Sequence, residues 1–188
     1  MTSGLAALAP AAGSLTLEAA LDRPELLADP VRAALAALPP GQSARVGVAA
    51  IDPALADTAA FCDAYGSPLE ASANCVVVAG SRGGERRVAA CVVLATTRAD
   101  VNGVVRRRLD VRKASFLSTD EAVTASGMEY GGITPLGLPG DWPVLVDPAV
   151  LAAPAVVIGS GLRASKIVLP GDVLAHAAGV ERCEGLGG

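Results

Sequence analysis

The sequence predicts an α+β domain in which helices surround a mixed β-sheet, and three observations predict it. Short apolar, β-branched runs recur from Arg45 onward. Helix signals fall between these runs without alternating regularly with them. One pair of runs, residues 74–79 and 88–95, is separated only by a polar, glycine-rich stretch and reads as a hairpin. Regular alternation would point to a parallel, doubly wound sheet, whereas a hairpin demands antiparallel pairing. The 188 residues suffice for one domain with a substantial core.

Taken in order, residues 1–14 are rich in Ala, Gly and Pro and are expected to be loose. Residues 15–38 read as helix in two pieces. Asp29-Pro30 sets a capping residue before a proline at the first helical position, and Pro39-Pro40-Gly41 ends the segment. Residues 45–51 read as a strand. Asp52-Pro53 repeats the capping device and opens a helix with Leu55, Thr58, Ala59 and Cys62 on one face, stopped at Gly66. The hairpin follows, with residues 80–87 as a longish loop. Asp100 is placed to cap a helix that turns Val101, Val104, Val105 and Leu109 inward and Arg106, Arg107 and Arg108 largely outward. Ser118-Thr119-Asp120-Glu121 matches a capping box, with a short helix running to Gly127. Residues 131–137 are loop, 144–146, 155–158 and 166–169 are short strands, and 172–178 form a last helix closed by Gly179.

Composition narrows the function. Hydrophobic residues make up 52% and aromatics 3%, so the core must be built from Val, Leu, Ile and Ala. Mean hydropathy is high at +0.47, yet no apolar run approaches the roughly 20 residues of a membrane span. The N-terminus lacks a basic region and its apolar part is broken by Pro10 and Gly13, so no signal peptide is expected. Cys62, Cys75, Cys91 and Cys183 show no paired spacing and read as free thiols in a reducing, cytoplasmic setting. With His176 as the single histidine, neither a zinc site nor a histidine-based triad is expected, and no cofactor motif is present. The net charge of -4 argues against a DNA-binding protein, but a local basic patch exists in Arg106, Arg107, Arg108, Arg112 and Lys113, interrupted by Asp110. It reads either as a phosphate-binding surface or as a solvated helix face.

Two loops remain as candidates for chemistry. In Gly131-Gly132-Ile133-Thr134-Pro135-Leu136-Gly137 the paired glycines let the backbone approach a ligand, and Pro135 stiffens the far end. Such a loop can aim N–H groups at a carbonyl or a developing oxyanion without an ionisable side chain. A tight turn between elements is the alternative. Gly159-Ser160-Gly161, directly after a strand, can present backbone donors in the same way.

These pieces, in this order, resemble the YbaK/EbsC family, the prolyl-tRNA synthetase-associated editing domain. The stretches that carry the resemblance are Ala73-Asn74-Cys75-Val76-Val77-Val78, Arg112-Lys113-Ala114-Ser115-Phe116, the GGITPLG element from Gly131 to Gly137, the strand ending in Asp147, and Ile158-Gly159-Ser160-Gly161. It covers about residues 45–185, which divides the chain into an N-terminal, partly helical extension (1–44) and an editing domain (45–188). The resemblance implies a mixed, partly barrel-like sheet surrounded by helices. It implies a freestanding enzyme that hydrolyses the ester joining a wrong amino acid to the terminal adenosine of tRNA, with no cofactor and no membrane. A synthetase pocket separates similar amino acids by only about 1–3 kcal/mol per methylene, so a second sieve removes the errors.

By the same resemblance, the catalytic candidates are Asn74 and the loop residues Gly131, Gly132, Ile133, Thr134 and Pro135. Gly159, Ser160, Gly161 and Asp147 would hold substrate, with a cap or turn as the equally favoured role of Asp147. Arg106, Arg107, Arg108, Arg112 and Lys113 would meet the acceptor end of mischarged tRNA, and an aminoacyl-tRNA synthetase is a further expected partner. The chain departs from the family at Asn74, where members usually carry a lysine that matters for deacylation. Asparagine donates and accepts hydrogen bonds but carries no charge. Lys113 and Lys166 are the only lysines; Lys113, beside the basic run, is the better substitute of the two, and the favoured alternative is that both are ordinary surface or strand-end lysines. A module that binds aminoacyl-tRNA or a nucleotide without cutting is the alternative reading.

Overall fold

The computed structural model describes residues 3–188. The first two residues of the stretch expected to be loose fall outside that range. The remainder of that stretch is helical and packed: α1 (Ser3–Ala6) and α2 (Ala9–Ala12) flank a fully buried Leu8. Next come β1 (Glu18–Ala19), two 3-10 turns, α3 (Asp29–Ala37), α4 (Pro40–Ser43) and β2 (Gly47–Ala50). A further 3-10 turn leads to α5 (Thr58–Tyr65), and then to β3 (Ala73–Arg82) and β4 (Glu85–Leu94). A π-helical turn (Val101–Val105) runs into α6 (Arg106–Arg108), followed by β5 (Ala114–Phe116) and α7 (Thr119–Ser126). After a long loop come β6 (Val144–Val146), α8 (Pro148–Ala152), β7 (Val156–Gly159), β8 (Ser165–Leu169), α9 (Gly171–Leu174) and β9 (Val180–Arg182).

The strands form two sheets. The smaller has the order β1-β2-β8-β7 and is antiparallel throughout. The larger has the order β5-β3-β4-β6-β9, with β3 antiparallel to both neighbours and β6 parallel to β4 and β9. A parallel bridge from Ser72, just before β3, to Val157 on β7 joins the sheets. The mixed sheet expected from the sequence is therefore a pair of sheets meeting along one seam, surrounded by helices and not closed into a barrel.

Strand alternation sends side chains to three cores. The central one takes Val48, Val156, Ile158, Ile167 and Leu169 from the smaller sheet, Ala90, Val92, Val144 and Val146 from the larger, and Val31 and Leu35 from α3. The opposite face of the larger sheet packs Val78, Cys91, Val93 and Leu145 against Val101, Val105, Leu109 and Val111. The opposite face of the smaller sheet packs Val157 and Val168 against Leu8, Ala12 and Phe61. The segment before β2 thus enters two of the three cores, through Leu8 and Ala12 at α2 and through Val31 and Leu35 on α3, without a break in packing at residue 44.

Several local expectations are corrected. The hairpin loop is shorter and its strands longer than their apolar runs, because Gly83 and Gly84 both adopt positive φ (60° and 85°) and close a two-residue turn. The first of the two helical pieces before α3 is a short strand and 3-10 turns; β1 pairs with β2 there and overrides helix propensity. In α5 the buried residue is Phe61, which lies off the expected face. Three-residue strands β5 and β9 are too short to show a period, and α9 stops at Leu174. The caps at Asp100 and Ser118 form as expected: Asp100 accepts from Gly103 and Val104 N–H, and Ser118 Oγ accepts from Glu121 N–H.

Candidate active site

Beside the seam between the two sheets lies a cleft of about 400 Å³, within the range of ordinary small-molecule sites. Its walls come from six places in the chain. The start of α5 gives Asp57, Thr58 and Phe61; β3 gives Asn74 and Cys75; β5 and the residue after it give Phe116 and Leu117. The loop after α7 gives Tyr130, Gly131 and Ile133, and β7 and β8 give Gly159 and Lys166. Of the residues singled out in the sequence, Asn74, Gly131, Ile133 and Gly159 meet here.

Asn74 sits on β3 opposite Val93. Its Oδ1 accepts a hydrogen bond from Thr58 Oγ1 at 2.8 Å. That contact fixes the amide and leaves its NH2 as a donor. Gly131 and Ile133 have backbone N–H groups that meet no acceptor among the described residues. Both residues line the cleft.

The other glycines serve the two loops themselves. A Cβ on Gly159 would lie 2.2 Å from Gly132 O, and one on Gly132 would lie 2.7 Å from the Leu162 backbone. Only glycine permits this back-to-back approach. The Gly161 N–H donates to Gly132 O at 2.8 Å, and Glu129 N–H donates to Gly161 O at 2.8 Å. Ser160 is buried and bonded to Ser165 Oγ at 2.7 Å, so it braces the second loop. Pro135 is buried behind the cleft. Thr134 is buried there too, and its Oγ1 has no partner among the described residues. Asp147 lies elsewhere: it caps α8 through Ala149 N–H and accepts from Gly187 N–H, both at 2.8 Å.

The basic run also lies away from the cleft. Its segment covers the outer face of the larger sheet. Arg106, Arg107, Arg112 and Lys113 are exposed. Arg108 pairs with Glu181 on β9, the edge strand farthest from β5, and Arg82 and Arg87 pair with Asp110.

The lysine that lines the cleft is Lys166, not Lys113, the better placed of the two in the sequence. Lys166 lies on β8, only 8% exposed. Its ammonium donates to Ala56 O at 2.8 Å and stands 5.5 Å from the centre of the Phe61 ring. Burial lowers its pKa, opposed by the Asp57 carboxylate and reinforced by the Arg163 guanidinium. A lysine flanked by buried Ser165 and Ile167 in an otherwise neutral strand is the sequence signal for it. Cys75 also lines the cleft, but burial pushes its thiol well above the ordinary range, so it is no thiolate nucleophile at neutral pH. Among the described residues no group of three or more His, Cys, Asp or Glu could hold a metal ion, and no helix is long and apolar enough to cross a membrane.

Residues 52–177, which contain every wall of this cleft, match the family model described as the aminoacyl-tRNA editing domain. The chain belongs to that family. Among solved structures, this chain is similar to a candidate trans-editing enzyme for prolyl tRNA synthetase, with TM-score 0.68, 18% identity, and coverage of 84% of this chain and 94% of the other. It is similar to a hypothetical protein with TM-score 0.68, 18% identity and coverage of 79% and 95%. It is similar as well to a scaffold used for computational epitope grafting, with TM-score 0.64, 19% identity and coverage of 83% and 96%. At these identities the likeness carries the editing-domain fold. Among curated proteins none matches the chain.

Proposed function

We propose that the protein is a trans-acting aminoacyl-tRNA deacylase that hydrolyses the ester of mischarged tRNA. The observation that carries this reading is the meeting of Asn74, the free N–H groups of Gly131 and Ile133, and buried Lys166 in one cleft of an editing-domain chain. In the reaction, the oxygen of water adds to the ester carbonyl carbon. The bond to the ribose oxygen then breaks, and that oxygen takes up a proton. Negative charge develops on the carbonyl oxygen, where preorganised donors stabilise it most. The Gly131 and Ile133 N–H groups, the Asn74 amide and the Lys166 ammonium are the donors this cleft offers. The lysine that family members usually carry at the position of Asn74 is absent, and β8 supplies a cation to the same cleft. This supports chemistry over mere binding.

Asn74 favours the second reading, a module that holds aminoacyl-tRNA without cutting it. Deacylation of alanyl-, seryl-, threonyl- and cysteinyl-tRNA by wild type, Asn74→Ala and Gly131→Ala separates the two. We expect one of these esters to be cleaved and both variants to be slower by about 10-fold or more. Binding of tRNA with no cleavage across the panel would establish the second reading.

A further inference from the structure

The chain holds two phenylalanines, two tyrosines and one tryptophan. Phe61 and Trp142 are buried, and Tyr65 is tied into the fold by accepting from Asp52 N–H at 2.9 Å. The remaining two, Phe116 and Tyr130, are 65% and 62% exposed, and both line the cleft. Folding does not account for them. Phe116 projects from β5, whose register sets it opposite Val78, yet it is left in solvent while its neighbour Ala114 is buried. Tyr130 stands on the loop before Gly131. The Arg163 guanidinium lies 5.7 Å from its ring centre and 3.7 Å from the Asp57 carboxylate, a cation–π contact that limits where the ring can go.

The two exposed aromatic faces therefore sit at the open side of a cleft whose closed side holds Phe61 and Lys166. A space of about 400 Å³ admits an aminoacyl group and part of a nucleoside, not an RNA duplex. The terminal nucleotide has to bridge the mouth. Unstacked bases of single-stranded RNA ends are gripped chiefly by stacking on aromatic side chains. We propose that Phe116 and Tyr130 form a nucleobase subsite that stacks the unpaired terminal base of an RNA 3′ end while the ester enters the cleft. The inference rests on the deacylase reading for its ligand, and its test does not depend on catalysis.

The probe is uncharged tRNA with 2-aminopurine in place of the terminal adenine, whose fluorescence falls on stacking. Wild type is expected to bind it with quenching, and to bind tRNA lacking the terminal nucleotide more weakly. Phe116→Ala and Tyr130→Ala are each expected to weaken binding by about 10-fold and to remove most of the quenching. Their melting temperatures should hold, since both side chains are exposed. Binding without quenching, or variants that bind as wild type does, would overturn the subsite. If the probe is quenched while no mischarged tRNA is hydrolysed, the subsite stands and the deacylase reading fails. If hydrolysis proceeds and both variants match wild type in KM and quenching, the subsite alone fails.

Discussion

Two regions of this molecule carry positive charge, and they are built in opposite ways. The segment from Arg106 to Lys113 concentrates five cations on the surface, where Arg108 meets Glu181 and Asp110, within the segment, draws in Arg82 and Arg87 from the hairpin. The cleft holds Lys166, nearly out of solvent, with a backbone carbonyl as its hydrogen-bond acceptor and no carboxylate within ion-pair distance among the described residues. Charge in the first region is abundant, exposed to solvent and screened by it. Charge in the second is costly to bury and retained nonetheless. An unpaired buried cation in a cleft is the stronger pointer to function.

Replacing Lys166 should therefore produce the largest effect. Lys166→Met keeps the length and apolar stem of the side chain. It is expected to lower kcat/KM for deacylation by about 100-fold, the size seen when one preorganised donor to a developing oxyanion is removed. Stability should stay level or rise by about 1 kcal/mol, because a desolvated charge is removed at the cost of leaving Ala56 O unpartnered. Activity assays beside a thermal melt decide it. A variant that loses both activity and stability would make Lys166 a structural residue and dissolve the contrast.

Asp57 offers a graded test. Its carboxylate opposes the fall in the Lys166 pKa, so Asp57→Asn should lower that pKa further. If the ammonium is the working form, the alkaline limb of the deacylation pH profile moves to lower pH. A rate profile superimposable on wild type would show that Lys166 works without its charge. Stability gives a second, smaller signal. The folded Lys166 pKa lies below the ordinary lysine value of 10.5, so the unfolded chain binds more protons between the two. Wild-type stability should therefore rise with pH across that window, while the Lys166→Met protein shows no such rise from this site. Denaturant titrations from pH 7 to pH 10 measure the difference.

The same contrast separates what is legible in the sequence from what is not. Fold class is legible because β3 and β4 carry long β-branched runs and because Asp100 and Ser118 announce helix starts with side chains that do cap them. The loop element at Gly131 is legible as a motif, and it does reach the cleft. Its glycines are divided in their work: Gly131 lines the cleft, whereas Gly132 lets the loop touch Gly159, which itself lines the cleft. Spacing along a chain does not distinguish those roles, since the partner of Gly132 is 27 residues away in sequence at Gly159. Sequence favours Lys113 over Lys166 because a cation beside other cations looks functional. What singles out Lys166 is burial, which depends on α5 folding across β8. Phe116 and Tyr130 are equally silent, because exposure at a cleft mouth has no sequence signature.

The smallest expected effect lies in the basic run. Arg108→Ala breaks the ion pair with Glu181, but both side chains are substantially exposed, 54% and 40%. Stability should change by no more than about 0.5 kcal/mol. None of the run lines the cleft, so Arg106→Ala, Arg107→Ala and Arg112→Ala together should leave kcat unchanged. Their effect, if the run meets acceptor-stem phosphates, belongs to KM and to its salt dependence. Every arginine that neutralises a phosphate steepens the log–log slope of binding against salt by roughly 0.7 to 0.9, and its removal flattens the slope by the same amount. At 150 mM salt, beyond a Debye length of about 8 Å, little of a more distant charge is felt, so a KM rise under about 2-fold with an unchanged salt slope is the outcome expected of a solvated helix face. A slope that falls by two units or more would instead place RNA across the outer face of the larger sheet. The acceptor end would then have to run from β9 around to the seam before entering the cleft.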